Sequence, residues 1–453
     1  MKKDICNGPA DHLVRASAEG CAESRLLMSR RAMLGVTASL FSWACMPRFA
    51  EAATTDARLL VVVLRGGMDG VNVCVPFGDS HYASMRGDLA IPAASTIRLD
   101  SFFGLHPALT NLGKMYKAKE ASIVHATCVP LRNRSHFDAQ DNLENGLAGN
   151  TANATGWLNR LLSALPAGAP VKSAGAIQIG EAPLILRGPA PVLGWSPTQF
   201  ESVDNPTLGS VRTLYRDSDA QMYGMLERGL TVYRLASRID EDDGNISSLR
   251  KAFRGAARLL AAADGPRIAV LTVGGWDTHA DQGAAQGYMT GVLTELDRAL
   301  ADFKRFTGAA WQKSVVVCAT EFGRSVRING DSGTDHGVGT VALLAGGAVN
   351  GGRVYTDWPG LAPAQLYEDR DLAPTTDLRS VFKGILRDHI GVTTATLNAT
   401  IFPDSASAPP LPNLVDATAG AMVSGTPAAA PVKADSPIAK YRRRQRMVRV
   451  AAN

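Results

Sequence analysis

Beyond its leader the chain is poor in cysteine. Of six cysteines in 453 residues, only Cys74, Cys128 and Cys318 lie past residue 50. An odd number with no close spacing excludes a disulfide framework and a thiolate metal site. The chain also lacks an apolar run of the roughly 20 residues that a membrane span requires, so no stable membrane anchor is expected. It lacks a strong charge of one sign as well. The formal charge of +5 is concentrated in an Arg-containing leader and in the C-terminal "KYRRRQRMVRV", which points only weakly to nucleic acid, and no such partner is expected. No internal repeat is evident.

What is present begins with an address. "MSRRAMLGVTASLFSWACMPRFAEAATT" carries the pair Arg30 and Arg31, an apolar stretch from about Ala32 to Met46 and the small-residue site Ala50-Glu51-Ala52. This is the pattern of a twin-arginine export signal spanning 1–52, cleaved after Ala52. It predicts the twin-arginine translocation machinery as a partner and a periplasmic or secreted location. Residues 53–403 are expected to form the folded domain. From 404 to 453 the chain is rich in Pro, Ala and Ser without periodicity, which predicts a disordered tail with a solvated basic end.

Between these ends, apolar runs alternate with helical patterns. The runs "RLLVVVLRGG" (58–67), "ASIVHATCV" (121–129), "RIAVLTVGG" (267–275), "SVVVCATEF" (314–322) and "GTVALLAGG" (339–347) are continuous, as strands covered on both faces are. Helical patterns fall at "FDAQDNLENGL", from about 211 to 263, at "GYMTGVLTELDRALADFKRF" and at "DLRSVFKGILRDHI". The alternation predicts an α/β fold, a three-layer α/β/α sandwich with a mostly parallel central sheet.

In such sheets, sites form beyond the carboxyl ends of the strands, and polar clusters recur at those positions. "RGGMDGVN" contains Asp69, which serves either a turn or a ligand role. "RNRSHFDAQ" contains Ser135 and His136. Ser135 opens a helical pattern, as an N-cap does, and the same place suits a nucleophile facing an anion held by free helix N–H groups. His136 is either a packing residue or part of the chemistry. In "GGWDTHADQ", Asp277 and His279 stand two apart, so an extended backbone puts them on one face. "TEFGRSVRINGDSGTDHG" supplies Glu321, Arg324, Asp335 and His336. A buried Glu321 needs a partner, and Arg324 is one candidate. Histidine and carboxylate donors without cysteine suit a divalent metal such as zinc or manganese.

The segments "LRGGMDGVN", "NRSHFDAQ…ENG", "GGWDTH" and "TEFGRSVRINGDSGTDHG" together resemble the signatures of a large bacterial family of twin-arginine-exported proteins. That family is known as a domain of unknown function and placed in the alkaline phosphatase and sulfatase superfamily. The resemblance covers roughly residues 56–403. It implies an alkaline-phosphatase-like fold and a metal-dependent hydrolase of phosphate or sulfate esters, with zinc, manganese or calcium as cofactor and a small anionic ester as substrate. The alternative is a non-catalytic protein of the same fold that binds a surface polymer or a protein partner. By the resemblance, Asp69, Asp277, His279 and His336 are metal ligands and Ser135 is the nucleophile. From the residues themselves, Glu321 and Asp335 are further ligand candidates, His136 is a further catalytic candidate, and Arg324 is placed to clamp the anion. The departure is Glu321-Phe322, where superfamily phosphatases usually carry an Asp-His pair.

The leader generates its own test. Replacing Arg30 and Arg31 with lysine is expected to hold the precursor in the cytoplasm, and N-terminal sequencing of the exported wild type is expected to begin at Ala53. Normal export of the double-lysine variant would refute the twin-arginine assignment.

Overall fold

The seven residues of β1 (Arg58–Leu64, RLLVVVL) are all buried, because this strand has a partner on each side and a core on each face. In the computed structural model, which describes residues 56–416 except 150–154, 167–168, 170, 172–174, 182, 197–204 and 238–245, β1 is the hub of the sheet. The other strands of that sheet are β2 (Ala121–Cys128), β3 (Ala176–Ile179), β4 (Leu193–Trp195), β5 (Ile268–Val273), β6 (Ser314–Thr320), β7 (Thr340–Ala345), β8 (Val354–Tyr355) and β9 (Thr376–Asp377). Their spatial order is β8-β2-β7-β6-β1-β5-β3-β4, with β9 also pairing β2. β1 runs parallel to β5 (Leu59 opposite Ile268) and to β6 (Leu59 opposite Val315). Only β7 is reversed, antiparallel to both β2 and β6.

Alternate residues of β1 feed two cores. Leu59, Val61 and Val63 join Trp157, Leu161, Val381 and Phe382 on one face, and Leu60, Val62 and Leu64 join Phe253, Leu260, Leu293 and Phe303 on the other. Covering helices include α1 (Trp157–Ala164), α2 (Ser248–Ala261), α3 (Tyr288–Thr307) and α4 (Leu378–Ile385). Each fully buried aliphatic or aromatic side chain contributes about 1.5–3 kcal/mol relative to exposure, which is why continuous apolar runs read so directly as strands. This is the expected three-layer α/β/α arrangement around a mostly parallel sheet. Cys74, Cys128 and Cys318 are free and buried. Among the described residues no helix is long and apolar enough to cross a membrane.

The expected domain boundary at 403 falls short of the observed packing. Residues 404–416 belong to the fold: Ser405, Ala408, Leu414 and Val415 are buried, and the Lys383 ammonium donates to the Ser405 carbonyl at 2.6 Å and the Ala408 carbonyl at 2.8 Å. Leu411 N–H bonds to the Ser380 carbonyl, and Asp416 N–H to that of Ala348. Prolines suppress helix and strand but not burial of the leucines between them, so composition alone misplaced the boundary. The leader (1–52) and residues 417–453 lie outside the described residues.

Comparing a chain ending at 403 with one ending at 416 tests this packing. The shorter chain uncovers the sites of Leu414 and Val415 and takes the Ser405 and Ala408 carbonyls from the buried Lys383, leaving it Asn398 alone. A loss on the order of 5 kcal/mol is expected, read as a marked drop in melting temperature. Equal melting temperatures would mean that 404–416 add no stability.

Candidate metal centre

At the carboxyl end of β1 the backbone turns through Gly66, where φ is +125° and a Cβ would lie 2.5 Å from the Asp277 nitrogen. Only glycine permits both the conformation and the approach. The segment after β5 therefore lies directly against the segment after β1. Within it, Trp276 and Thr278 are buried while Asp277 and His279 are exposed, so the two polar side chains share the open face that their spacing predicts.

Two further segments reach the same place. β2 leads by way of Arg134 to Ser135, the N-cap of a helix His136–Asn145, which ends on Gly146 in the left-handed conformation. The reversed β7 is preceded by a short ribbon in which Gly323–Arg324 pairs with His336–Gly337, setting His336 beside the end of β6. The result is a convergence. His336 Nε2 lies 3.0 Å from His136 Nε2 and 2.9 Å from His279 Nε2. Asp277 Oδ1 is 3.0 Å from His279 Nε2 and 3.2 Å from His336 Nε2, and its Oδ2 is 3.4 Å from His136 Nε2. His136, Asp277 and His336 each offer a ligand atom within 4.8 Å of the others.

The outward ring nitrogens explain why these atoms face one another. His336 Nδ1 is 2.9 Å from the Arg134 carbonyl, which can only accept, so that nitrogen carries a proton. His136 Nδ1 is 2.8 Å from Glu321 Oε1, a carboxylate that also accepts from Gly66 N–H, the Gln140 amide and the Thr320 hydroxyl. In the neutral rings both Nε2 atoms are then bare lone pairs, and His336 Nε2 also faces the Asp277 carboxylate. Acceptors at these separations repel unless a proton or a metal ion lies among them, and a histidine whose far nitrogen bonds a carboxylate or carbonyl is an arrangement found in metal ligands.

The remaining candidates take distinct places. Asp69 is buried and does not join the cluster: it pairs with the buried Arg86, and Gln282 Nε2 donates to its Oδ2 at 2.6 Å. Gln282 Oε1 accepts from the Thr278 and Thr334 hydroxyls at 2.7 and 2.6 Å, so this network supports the cluster from beneath. Arg324 is fully buried, and its donors go to the carbonyls of Gly67, Gly66, Trp276 and Thr334 and to the Asp277 carboxylate. These bonds commit the guanidinium to the protein, where an anion clamp was expected. Glu321 takes His136 as partner rather than Arg324. Asp335 is exposed, its Oδ1 3.7 Å from His279 Nδ1. Ser135 Oγ accepts from Asp138 N–H at 3.5 Å. Sequence reading gave His136 a catalytic role and missed Gln140. Their i, i+4 spacing on one helix face was the available signal that both reach Glu321.

Electrostatics follow from these contacts. The Glu321 hydrogen bond raises the His136 pKa above the ordinary histidine value, against burial. Burial lowers that of His336, with the Arg134 carbonyl opposing. For Glu321, burial is outweighed by the bonds from His136 and Gln140, and for Asp277 by the Arg324 charge; both carboxyls are lowered.

Residues 120–401 match the family described as "Protein of unknown function (DUF1501)", more than half of the chain, and the chain belongs to that family. No curated protein matches it. Among solved structures it is similar to the phosphonate monoester hydrolase of Agrobacterium radiobacter, at 10% identity, 73% of each chain covered and a TM-score of 0.35. It is similar to the C-terminal periplasmic domain of EcEptC from Escherichia coli in complex with Zn, at 11% identity over 84% of this chain and 100% of that one, TM-score 0.35. It is also similar to the PsFucS1 sulfatase from Pseudoalteromonas sp., at 12% identity over 72% and 68%, TM-score 0.29. Likeness of this order assigns no reaction to this chain.

In chelator-treated protein, imidazole NMR is expected to find His136 titrating above 6.5 and His336 below it. Because folding raises the His136 pKa, its protonated pair with Glu321 adds stability that is complete below the unfolded value and is lost as pH rises through the folded one. Glu321→Gln is expected to lower the His136 titration and remove that dependence. An unmoved His136 would exclude Glu321 as its partner.

Proposed function

We propose that this member of the DUF1501 family is an exported, metal-dependent hydrolase of phosphate or sulfate esters. The observation that carries the reading is the convergence of three imidazole Nε2 atoms and one carboxylate beside the helix that Ser135 caps. The donor set fits a divalent ion: His136, His279, His336 and Asp277 would hold it. Nitrogen-rich ligation suits zinc or manganese and disfavours calcium, which takes oxygen ligands. When bound, such an ion supplies Lewis acidity toward an ester oxygen and lowers the pKa of a coordinated hydroxyl or water.

The chain's own groups do the rest. Glu321 fixes the His136 tautomer through Nδ1, the Arg134 carbonyl does the same for His336, and Arg324 holds the Asp277 carboxylate in place. Ser135 stands at the N-terminus of its helix, where backbone N–H groups and the helix dipole favour an anionic ester group. Its hydroxyl is the candidate nucleophile. Periplasmic or secreted location and the twin-arginine partner rest on the leader.

His279→Ala, His336→Ala and Asp277→Asn are each expected to lose metal, measured by elemental analysis of the purified mature protein, and to lose hydrolysis of aryl phosphate or aryl sulfate esters with it. Ser135→Ala is expected to keep metal and lose turnover. Glu321→Gln is expected to weaken metal affinity by about 10- to 100-fold, and affinity is expected to fall as pH drops through the His136 titration, since a ligating nitrogen must be deprotonated. A wild type that takes up no metal from metal-replete medium, with His279→Ala unchanged in every assay, would transfer the assignment to a non-catalytic binding protein.

A further inference from the structure

A concave site lies at the carboxyl end of β2. It is a cavity of about 520 Å³ whose walls include Cys128 and Arg132 from the end of β2 and its loop, Asp377, Arg379 and Ser380 from the start of α4, and the proline-rich run Pro409–Pro412. None of its lining residues belongs to the histidine cluster.

Three observations give it a chemistry. Arg379 is 94% buried, at 6% exposure, and its Nε and Nη2 bond the Asp377 carboxylate at 3.1 and 2.7 Å. Its Nη1 is buried with no partner. A buried guanidinium nitrogen without an acceptor costs free energy that an incoming acceptor recovers. Second, Arg132 is exposed, with its guanidinium 5.8 Å over the Tyr367 ring, and the charged residues of the lining are Arg132, Arg379 and Asp377, so the cavity carries a net positive charge. Third, the proline and leucine wall offers apolar surface, and a site with a few polar groups on an apolar wall is the general form of a small-molecule pocket.

We infer that this cavity binds a small organic acid, its anionic head received by Arg379 and Arg132 and its apolar body lying against the Pro409–Pro412 wall. The site is separate from the metal centre and does not rest on the hydrolase reading. Arg379 has one nitrogen to give because Asp377 holds the other two, so the head is bound end-on by Arg379 and completed by Arg132. Carboxylate, sulfate and phosphate heads share this chemistry.

Calorimetric titration of the mature protein with benzoate, phenyl sulfate and phenyl phosphate tests it, run on the His336→Ala variant so that the metal centre contributes neither binding nor turnover. At least one of the three acids is expected to bind, and the preferred one identifies the head. Arg132→Gln and Arg379→Lys are each expected to weaken that binding about tenfold or more, the scale of one charge-assisted hydrogen bond. Arg132 is exposed, so its variant is expected to fold even where Arg379→Lys does not. Benzyl alcohol, which has the apolar body without the head, is expected not to bind. Absence of binding by all three acids, or binding that Arg132→Gln leaves unchanged, would overturn the assignment. Loss of metal or esterase activity elsewhere in the molecule bears on the other reading alone.

Discussion

One buried guanidinium joins the segments on which the centre is built. Arg324 gives hydrogen bonds to the carbonyls of Gly66 and Gly67 after β1, of Trp276 after β5 and of Thr334 before β7, and pairs with Asp277. Burying a charge in this way costs several kcal/mol unless its donors are met, and here the acceptors are the backbone of three loops that would otherwise be free to drift apart. The charge is what makes the crossing obligatory. A neutral side chain of similar size would fill the volume and leave the loops uncoordinated with one another.

Beneath it, Asp69 and Gln282 do for side chains what Arg324 does for backbone. Asp69 faces inward to Arg86 and Gln282, and Gln282 accepts from Thr278 and Thr334, neighbours of His279 and of Asp335-His336. The two aspartates thus divide the work by burial. Asp69, almost without exposure, neutralises Arg86 and sets the floor, and Asp277, about half exposed on its side chain, is left to meet whatever enters.

Where burial is two-sided, the sequence was transparent. β1, β2, β5, β6 and β7 lie within a few residues of their apolar runs, because continuous Val, Leu and Ile have no other comfortable place. The short strands β3, β4, β8 and β9 were not legible: they have two to four residues each, too few for a pattern, and their pairing is decided by the fold rather than by their own sequence. In the site, Asp277 and His279 were readable because local spacing alone fixes a shared face. Asp69 was not, since its partner Arg86 lies on another short helix and only the fold brings Gln282 to the same carboxylate. The expectation that Arg324 would be available to an anion failed for a related reason: exposure of an arginine depends on how many carbonyls the loops present to it, which no local pattern encodes. The reversal of β7 was implicit in the order of residues, since His336 precedes its strand whereas Asp69, Ser135 and Asp277 follow theirs, and all can share one edge only if that strand runs the other way.

The central position of β1 carries a consequence for the order of assembly. Its two neighbours in the sheet are strands more than two hundred residues later in the chain, so during synthesis this largely apolar strand precedes both its partners and stays unpaired until most of the domain exists. Topologies of this kind fold slowly and expose sticky intermediates. The three histidines of the metal centre, the last of them at 336, cannot meet until the chain has been made past that point.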